Sequence, residues 1–142
     1  MLIVIILLRI IINMKASRRK SVQRERIYAA LKNSSAHPTA SQLYTALKKA
    51  IPTLSLGNLY RNINILVEAG RIKGTEFRDG LEHYDAVIKS HYHFVCETCG
   101  IINDFDLPVR IEVAKLAGKS TGNKISGHTI QFFGICEKCL NL

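Results

Sequence analysis

An α+β chain in two parts is predicted, on three observations. Apolar residues recur at helical spacing as far as about residue 70 and in short alternating runs beyond it. Charge divides in the same way: residues 1–85 carry 14 Lys and Arg against 6 Asp and Glu, whereas residues 86–142 carry 6 against 5. All four cysteines fall in the second part, as Cys96-x-x-Cys99 and Cys136-x-x-Cys139 with 36 residues between the pairs. A chain of 142 residues divided so has two small cores, each near the size at which a metal or a second subunit must supplement burial.

The chain opens on MLIVIILLRIIINMK. Its apolar run is interrupted by Arg9 and falls short of the roughly 20 residues a spanning helix needs. It lacks the basic lead and small-residue cleavage site of a secretory signal, so no membrane partner is expected. Two readings of residues 1–13 stay open: an apolar first helix that must be buried, or a start placed upstream of Met14. Over residues 17–33, Val22, Ile27, Ala30 and Leu31 share a helical side with Arg and Lys around them, predicting a helix that ends near Asn33. Thr39 then reads as the N-cap of a second helix, with Leu43, Tyr44 and Leu47 as its buried stripe and Pro52 as its terminator. Ser55 caps a third, whose apolar face is Leu56, Leu59, Ile63, Leu66 and Val67 and whose end is closed by Gly70.

Two short helices across a tight turn make a helix-turn-helix, with the second helix entering the major groove. Its candidate DNA contacts are Ser55, Asn58, Tyr60, Arg61 and, on the flank, Asn62. Asp79-Gly80, set between runs carrying Ile72 and Phe77 and then Leu81 and Tyr84, predicts a hairpin. Behind a recognition helix such a hairpin is a wing, and the basic surplus suits phosphate contacts. Residues 1–85 are therefore expected to form a winged helix-turn-helix domain. Beyond Asp85, strands over 91–96 and 101–105, a helix from about Pro108 to Ala117, a GKSTGNK loop and a strand over 125–133 predict a small α/β dimerisation domain over 86–142.

In the stretch HYHFVCETCG, successive strand residues face opposite ways, so His91 and His93 share a face that Cys96 does not. The cysteines read as a closed, four-thiolate Zn²⁺ site, against the alternatives of two disulfides or a redox dithiol. A chain without a secretory signal is expected in the cytoplasm, where disulfides are disfavoured. His91 and His93 need other ligands, and Asp104, Asp85 and His37 stand at structural junctions where they can supply them. Each alone is a weak sign, since a histidine before proline is ordinarily a loop residue and a lone Asp a cap. Together, mixed nitrogen and oxygen donors favour Fe²⁺ or Mn²⁺. A site drawing ligands from both parts would lock one on the other.

These residues together resemble the ferric uptake regulator (Fur) family of bacterial metal-dependent repressors, and within it the peroxide-sensing, PerR-like branch. The resemblance covers roughly residues 20–140 through QRERIYAAL, AHPTASQLY, LYRNINILVEAG, HYDAV, HYHFVCETCGIINDFD and GICEKC. It implies structural Zn²⁺ on Cys96, Cys99, Cys136 and Cys139, and regulatory Fe²⁺ or Mn²⁺ on His37, Asp85, His91, His93 and Asp104. It also implies a homodimer on a pseudo-palindromic double-stranded DNA operator, controlling genes of oxidative stress and metal homeostasis. Asp104 stands where iron and zinc sensors of the family typically carry Glu, which points to the peroxide branch, and the resemblance to that branch implies His37 and His91 as the oxidation-sensitive rings. The alternative is an iron- or zinc-responsive uptake repressor without peroxide chemistry. Ser90 and Tyr92 depart from a further histidine and acid found in many members, which leaves His128 a structural role. Asn58 and Leu59 depart from the usual Thr-Val-Tyr entry of the recognition helix. Two histidines and a carboxylate also describe non-haem iron oxygenases, but a basic recognition helix has no place in that reading, and no enzyme is expected.

Overall fold

The computed structural model describes residues 22–105 and 107–141. Residues 1–13, with their two readings, and the predicted helical start at residues 17–21 lie outside the described residues. The described chain divides into two compact units, one through Ile88 and one from Lys89.

In the first unit, α1 is helical over residues 22–32. Its inward line is Gln23, Ile27 and Leu31, four residues apart, and Val22 lies one position off that line at 49% exposure. Expecting Val22 inside was therefore wrong. A glutamine can take its place because Gln23 Nε2 donates to Thr53 Oγ1 at 3.2 Å. Helix α2, Ala40–Lys48, begins on a capping box: Thr39 Oγ1 accepts from the Gln42 N–H and Gln42 Oε1 accepts from the Thr39 N–H. Leu43 and Leu47 are buried beneath it. Lys48 Nζ donates to the carbonyls of Pro52 and Leu54, at 3.0 and 2.6 Å, and so ties the turn into α3, Leu56–Glu68.

Helix α3 is capped by Ser55, whose hydroxyl accepts from the Asn58 N–H at 3.2 Å. Leu59, Ile63 and Leu66 form its fully buried line, while Leu56 and Val67, expected inside, flank that line and are exposed. Gly70, at φ 64°, ends the helix: its N–H bonds the Val67 carbonyl and the Arg71 N–H bonds the Leu66 carbonyl. A hairpin follows, with β1, Lys73–Glu76, antiparallel to β2, Glu82–Asp85. Asp79 Oδ1 accepts from the Leu81 N–H at 3.0 Å and Gly80 adopts φ 73°, which sets the turn. Phe77 and Tyr84 point inward, but Leu81 lies in the turn and is exposed, contrary to expectation. The buried core cluster of Ile27, Leu31, Leu43, Leu59, Ile63 and Leu66 belongs entirely to this unit.

The second unit is a three-stranded sheet in the order β4-β3-β5. Strand β3, Tyr92–Cys96, pairs antiparallel with β4, Ile102–Phe105, and parallel with β5, Gln131–Gly134. A parallel neighbour demands a crossover, which α4, Ile111–Thr121, supplies. That helix begins later than expected because Arg110 is extended and its N–H is spent on Tyr92 Oη at 2.8 Å. It also runs through half of the expected GKSTGNK loop, to Gly122 at φ 72°. Strand β5 is shorter than 125–133 because β3 offers it partners only from His93 to Cys96. A last turn of helix, α5, Glu137–Leu140, was not anticipated. Among the described residues no helix is long and apolar enough to cross a membrane.

Candidate metal centres

The four cysteines come together from two tight turns. Cys96 ends β3, and Gly100 at φ 72° turns the chain so that Cys99 folds back beside it. Cys136 caps α5 and Cys139 lies on that helix. The four sulfurs all lie within 4.8 Å of one another, and Cys99 Sγ is 3.7 Å from Cys136 Sγ. A tetrahedron with Zn–S of about 2.3 Å places its sulfurs about 3.8 Å apart, so the set fits Zn²⁺. Cys96 Sγ accepts backbone N–H groups from Cys99 and Cys136, at 3.5 and 3.3 Å. Those donors, that of Cys99 foremost, draw its thiol down to about 6. Cys139 is pushed up to about 12, first by its hydrogen bond with the Cys136 side chain. Crowded sulfurs resist ionising together, and a divalent cation removes that resistance. None of the four is in a disulfide, against the alternative of two bridges.

On the same sheet, the pairing of β3 and β4 sets His93 directly opposite Asp104. Asp104 Oδ1 lies 3.1 Å from His91 Nε2 and 3.8 Å from His93 Nε2, and the two rings meet edge-on with centroids 4.4 Å apart. His91 Nδ1 donates to the Lys89 carbonyl at 2.7 Å, which fixes the tautomer and leaves Nε2 to accept a metal. This is a mixed nitrogen and oxygen donor set, separate from the sulfurs. His128 is occupied elsewhere: the Tyr92 hydroxyl accepts from the Arg110 N–H and shares a hydrogen bond of 2.9 Å with His128 Nε2.

The first unit holds a second pair of donors. His37 Nε2 lies 3.5 Å from Asp85 Oδ2, and both residues are buried. Here too Nδ1 is directed to a carbonyl, that of Ser35 at 3.2 Å, so that a metal would be taken at Nε2. Asp85 closes β2 and its Oδ1 accepts from the Val87 N–H at 2.7 Å. His83, which the sequence reading passed over, is buried on the same strand, with Nδ1 2.6 Å from the His37 carbonyl and Nε2 2.9 Å from Asp79 Oδ2. Its spacing of two from Asp85, which puts both on one strand face, was the available signal.

The candidate DNA contacts separate into two groups. Ser55, at the N-cap of α3, and Tyr60 and Arg61 on that helix are exposed. Asn62, in contrast, is 2% exposed: Nδ2 donates to the carbonyl and Oδ1 of Asn58, and Oδ1 accepts from Arg24 Nε. It lies three residues from Leu59 on the buried side, so placing it among base-reading residues was an error. Asn58 is half-buried and donates to Gln23 Oε1 at 3.0 Å. Asn64, exposed one turn beyond Tyr60, was missed.

Residues 15–133 match the ferric uptake regulator family. Over 121 residues the chain is 40% identical to the peroxide operon regulator of Bacillus subtilis, covering 85% of this chain and 83% of that one. It is 34% identical over 125 residues to the peroxide-responsive repressor PerR of Staphylococcus epidermidis, covering 88% of this chain and 83% of that one. The crystal structure of the Campylobacter jejuni peroxide stress regulator is similar with a TM-score of 0.73 at 29% identity, over 90% of this chain and 96% of that one.

Proposed function

Since the chain belongs to the ferric uptake regulator family, we propose that it is a homodimeric, metal-dependent transcriptional repressor that releases its DNA operator on exposure to peroxide. One observation carries the reading: Asp104 Oδ1 stands 3.1 Å from His91 Nε2 and 3.8 Å from His93 Nε2, an iron- or manganese-type donor set distinct from the all-sulfur cluster. Similarity to regulators named for peroxide supports the branch. Cys96, Cys99, Cys136 and Cys139 hold structural Zn²⁺. His37, Asp85, His91, His93 and Asp104 together hold regulatory Fe²⁺ or Mn²⁺.

Residues 1–85 act as the winged helix-turn-helix domain, with α3 as recognition helix and the β1–β2 hairpin as wing. Ser55, Tyr60 and Arg61 meet a pseudo-palindromic operator, with Asn58 at the helix entry. Residues 86–142 serve dimerisation, supported by the exposed apolar residues Ile111, Val113 and Leu116 on α4 and Phe133 on β5. A protein working on chromosomal operators works in the cytoplasm.

Fe²⁺ held by these residues would supply the chemistry that cleaves a peroxide O–O bond, peroxide being the two-electron oxidant whose one oxygen passes to a ligand ring and whose other leaves as water. His37 and His91 would take up the oxygen, a reading supported by the backbone carbonyl that holds each ring at Nδ1. Oxidation of either ring weakens its hold on the metal, and the metal-dependent affinity for DNA falls. The test is a gel shift on the promoter of the protein's own gene with Mn²⁺, Fe²⁺ and Zn²⁺, with and without peroxide, beside mass spectrometry of the protein. The iron form should lose DNA on peroxide treatment and gain one oxygen on His37 or His91. If it releases DNA only through cysteine oxidation and zinc loss, with both histidines unmodified, the protein is a plain metal sensor.

A further inference from the structure

We propose that His83 is a positioning residue that fastens the hairpin turn to the loop carrying His37 and so holds His37 where its ring can bind metal. This rests on the reading of His37 as a ligand of the regulatory ion. His83 Nδ1 is 2.6 Å from the His37 carbonyl and its Nε2 is 2.9 Å from Asp79 Oδ2. Each ring nitrogen thus lies within hydrogen-bond distance of a different part of the chain, and the imidazole is a brace between the two. Phe77 packs edge-on against it at 5.3 Å.

The backbone is stitched along the same line. Thr39 bridges to His83, and the Tyr84 N–H donates to the Pro38 carbonyl at 3.0 Å, so residues 38–39 lie against β2. His37 itself has φ 45°, a left-handed conformation that side chains disfavour and that persists where the surroundings over-determine it. The clamp on its carbonyl supplies that determination. At the other end, Asp79 uses Oδ1 on the Leu81 N–H and Oδ2 on His83, so one carboxylate fixes the turn and the ring together. Its hydrogen bond with His83 holds the carboxyl below the usual carboxylate range. Asp79, His83 and the His37 carbonyl thus form a continuous connection from the hairpin turn to a metal ligand.

The experiment is Mn²⁺ titration, read by electron paramagnetic resonance, of the full-length zinc-loaded protein and its variants His37→Ala, His83→Ala, Asp79→Asn, Asp79→Ala and the double variant at 79 and 83. His83→Ala should weaken Mn²⁺ binding about tenfold or more, the range that loss of a group supporting a ligand produces, with zinc content unchanged. Asp79→Asn keeps an acceptor for the Leu81 N–H; it should weaken binding less, and add nothing once His83 is gone. If His37→Ala binds Mn²⁺ like the unaltered protein, the reading of His37 as a ligand fails. If His37→Ala loses Mn²⁺ while folded His83→Ala keeps full affinity, the role of His83 is overturned. Should His83→Ala not fold, full affinity in a folded Asp79→Ala overturns it instead, because that variant removes the carboxylate that holds the ring at Nε2. Independent, additive losses at 79 and 83 would overturn the connection between them.

Discussion

Asp104, one methylene shorter than Glu, is set opposite His93 by strand pairing and lies within 3.1 Å of His91 Nε2. Asp104→Glu preserves a carboxylate oxygen and the charge of the site, so metal-dependent DNA binding should survive. Peroxide sensitivity should fall, because the longer arm changes how the carboxylate approaches the ion and how open the ion is left. Asp104→Ala should instead lose Mn²⁺ affinity and fail to bind DNA without any oxidant. Gel shifts with and without peroxide, beside mass spectrometry of His37 and His91, separate the three proteins; retention of full peroxide sensitivity by Asp104→Glu would remove Asp104 as the branch-setting residue. At this scale the cysteine pairs and the alternation of His91 and His93 were legible because short spacing alone dictates them. Asn62 and His83 were not. Each is a polar side chain on an inward face, where a partner distant in sequence, Arg24 for Asn62 and the His37 carbonyl for His83, completes the hydrogen bonding that a residue four positions earlier begins.

The helices were legible where their ends are local chemistry. Thr39 with Gln42, Ser55, and Gly70 with Arg71 fix the limits of α2 and α3 within a few residues of chain. The elements misjudged, α4 and β5, depend on β3: one start waits on the hydroxyl of Tyr92, the other's length on the four residues of β3 that pair with it. Helix α3 is the element on which packing and recognition divide most sharply. Asn62→Ala should destabilise the protein by about 1–3 kcal/mol, because it removes the acceptor of Arg24 Nε and unpairs Asn58 inside the helix packing. Arg61→Ala, on the exposed side, should leave stability within about 0.5 kcal/mol yet weaken operator binding by about 1–3 kcal/mol if it makes a bidentate base contact. Urea unfolding and a footprint on the same two variants check both. A stable Asn62→Ala with an altered footprint would return Asn62 to the DNA face.

Taken whole, the molecule is unequal in how its two units bury apolar surface. The main buried core cluster lies in the first unit, whereas α4 has no buried residue and carries Leu116 at 66% exposure. A unit of this size is near the limit of what such burial alone supports, and two further sources of stability would serve it: zinc on four thiolates and, in the proposed dimer, a second copy of the chain against the apolar residues of α4. They can be told apart. Cys96→Ser should remove zinc and the dimer together, since a metal that closes so small a unit contributes folding free energy outright. Leu116→Asp puts a charge on the exposed apolar face proposed for dimerisation without touching the sulfurs, so it should yield a monomer that still holds one zinc per chain. Light scattering for mass and a colorimetric zinc assay on both variants give the answer. The monomer should also lose affinity for a two-half-site operator while a single half-site binds as before, because dimer symmetry is what matches operator symmetry. A zinc-free dimer from Cys96→Ser would mean that the thiolate site is dispensable to the fold. An intact dimer from Leu116→Asp would move the subunit contact off α4, leaving the exposed Phe133 on β5 as the next place to introduce a charge.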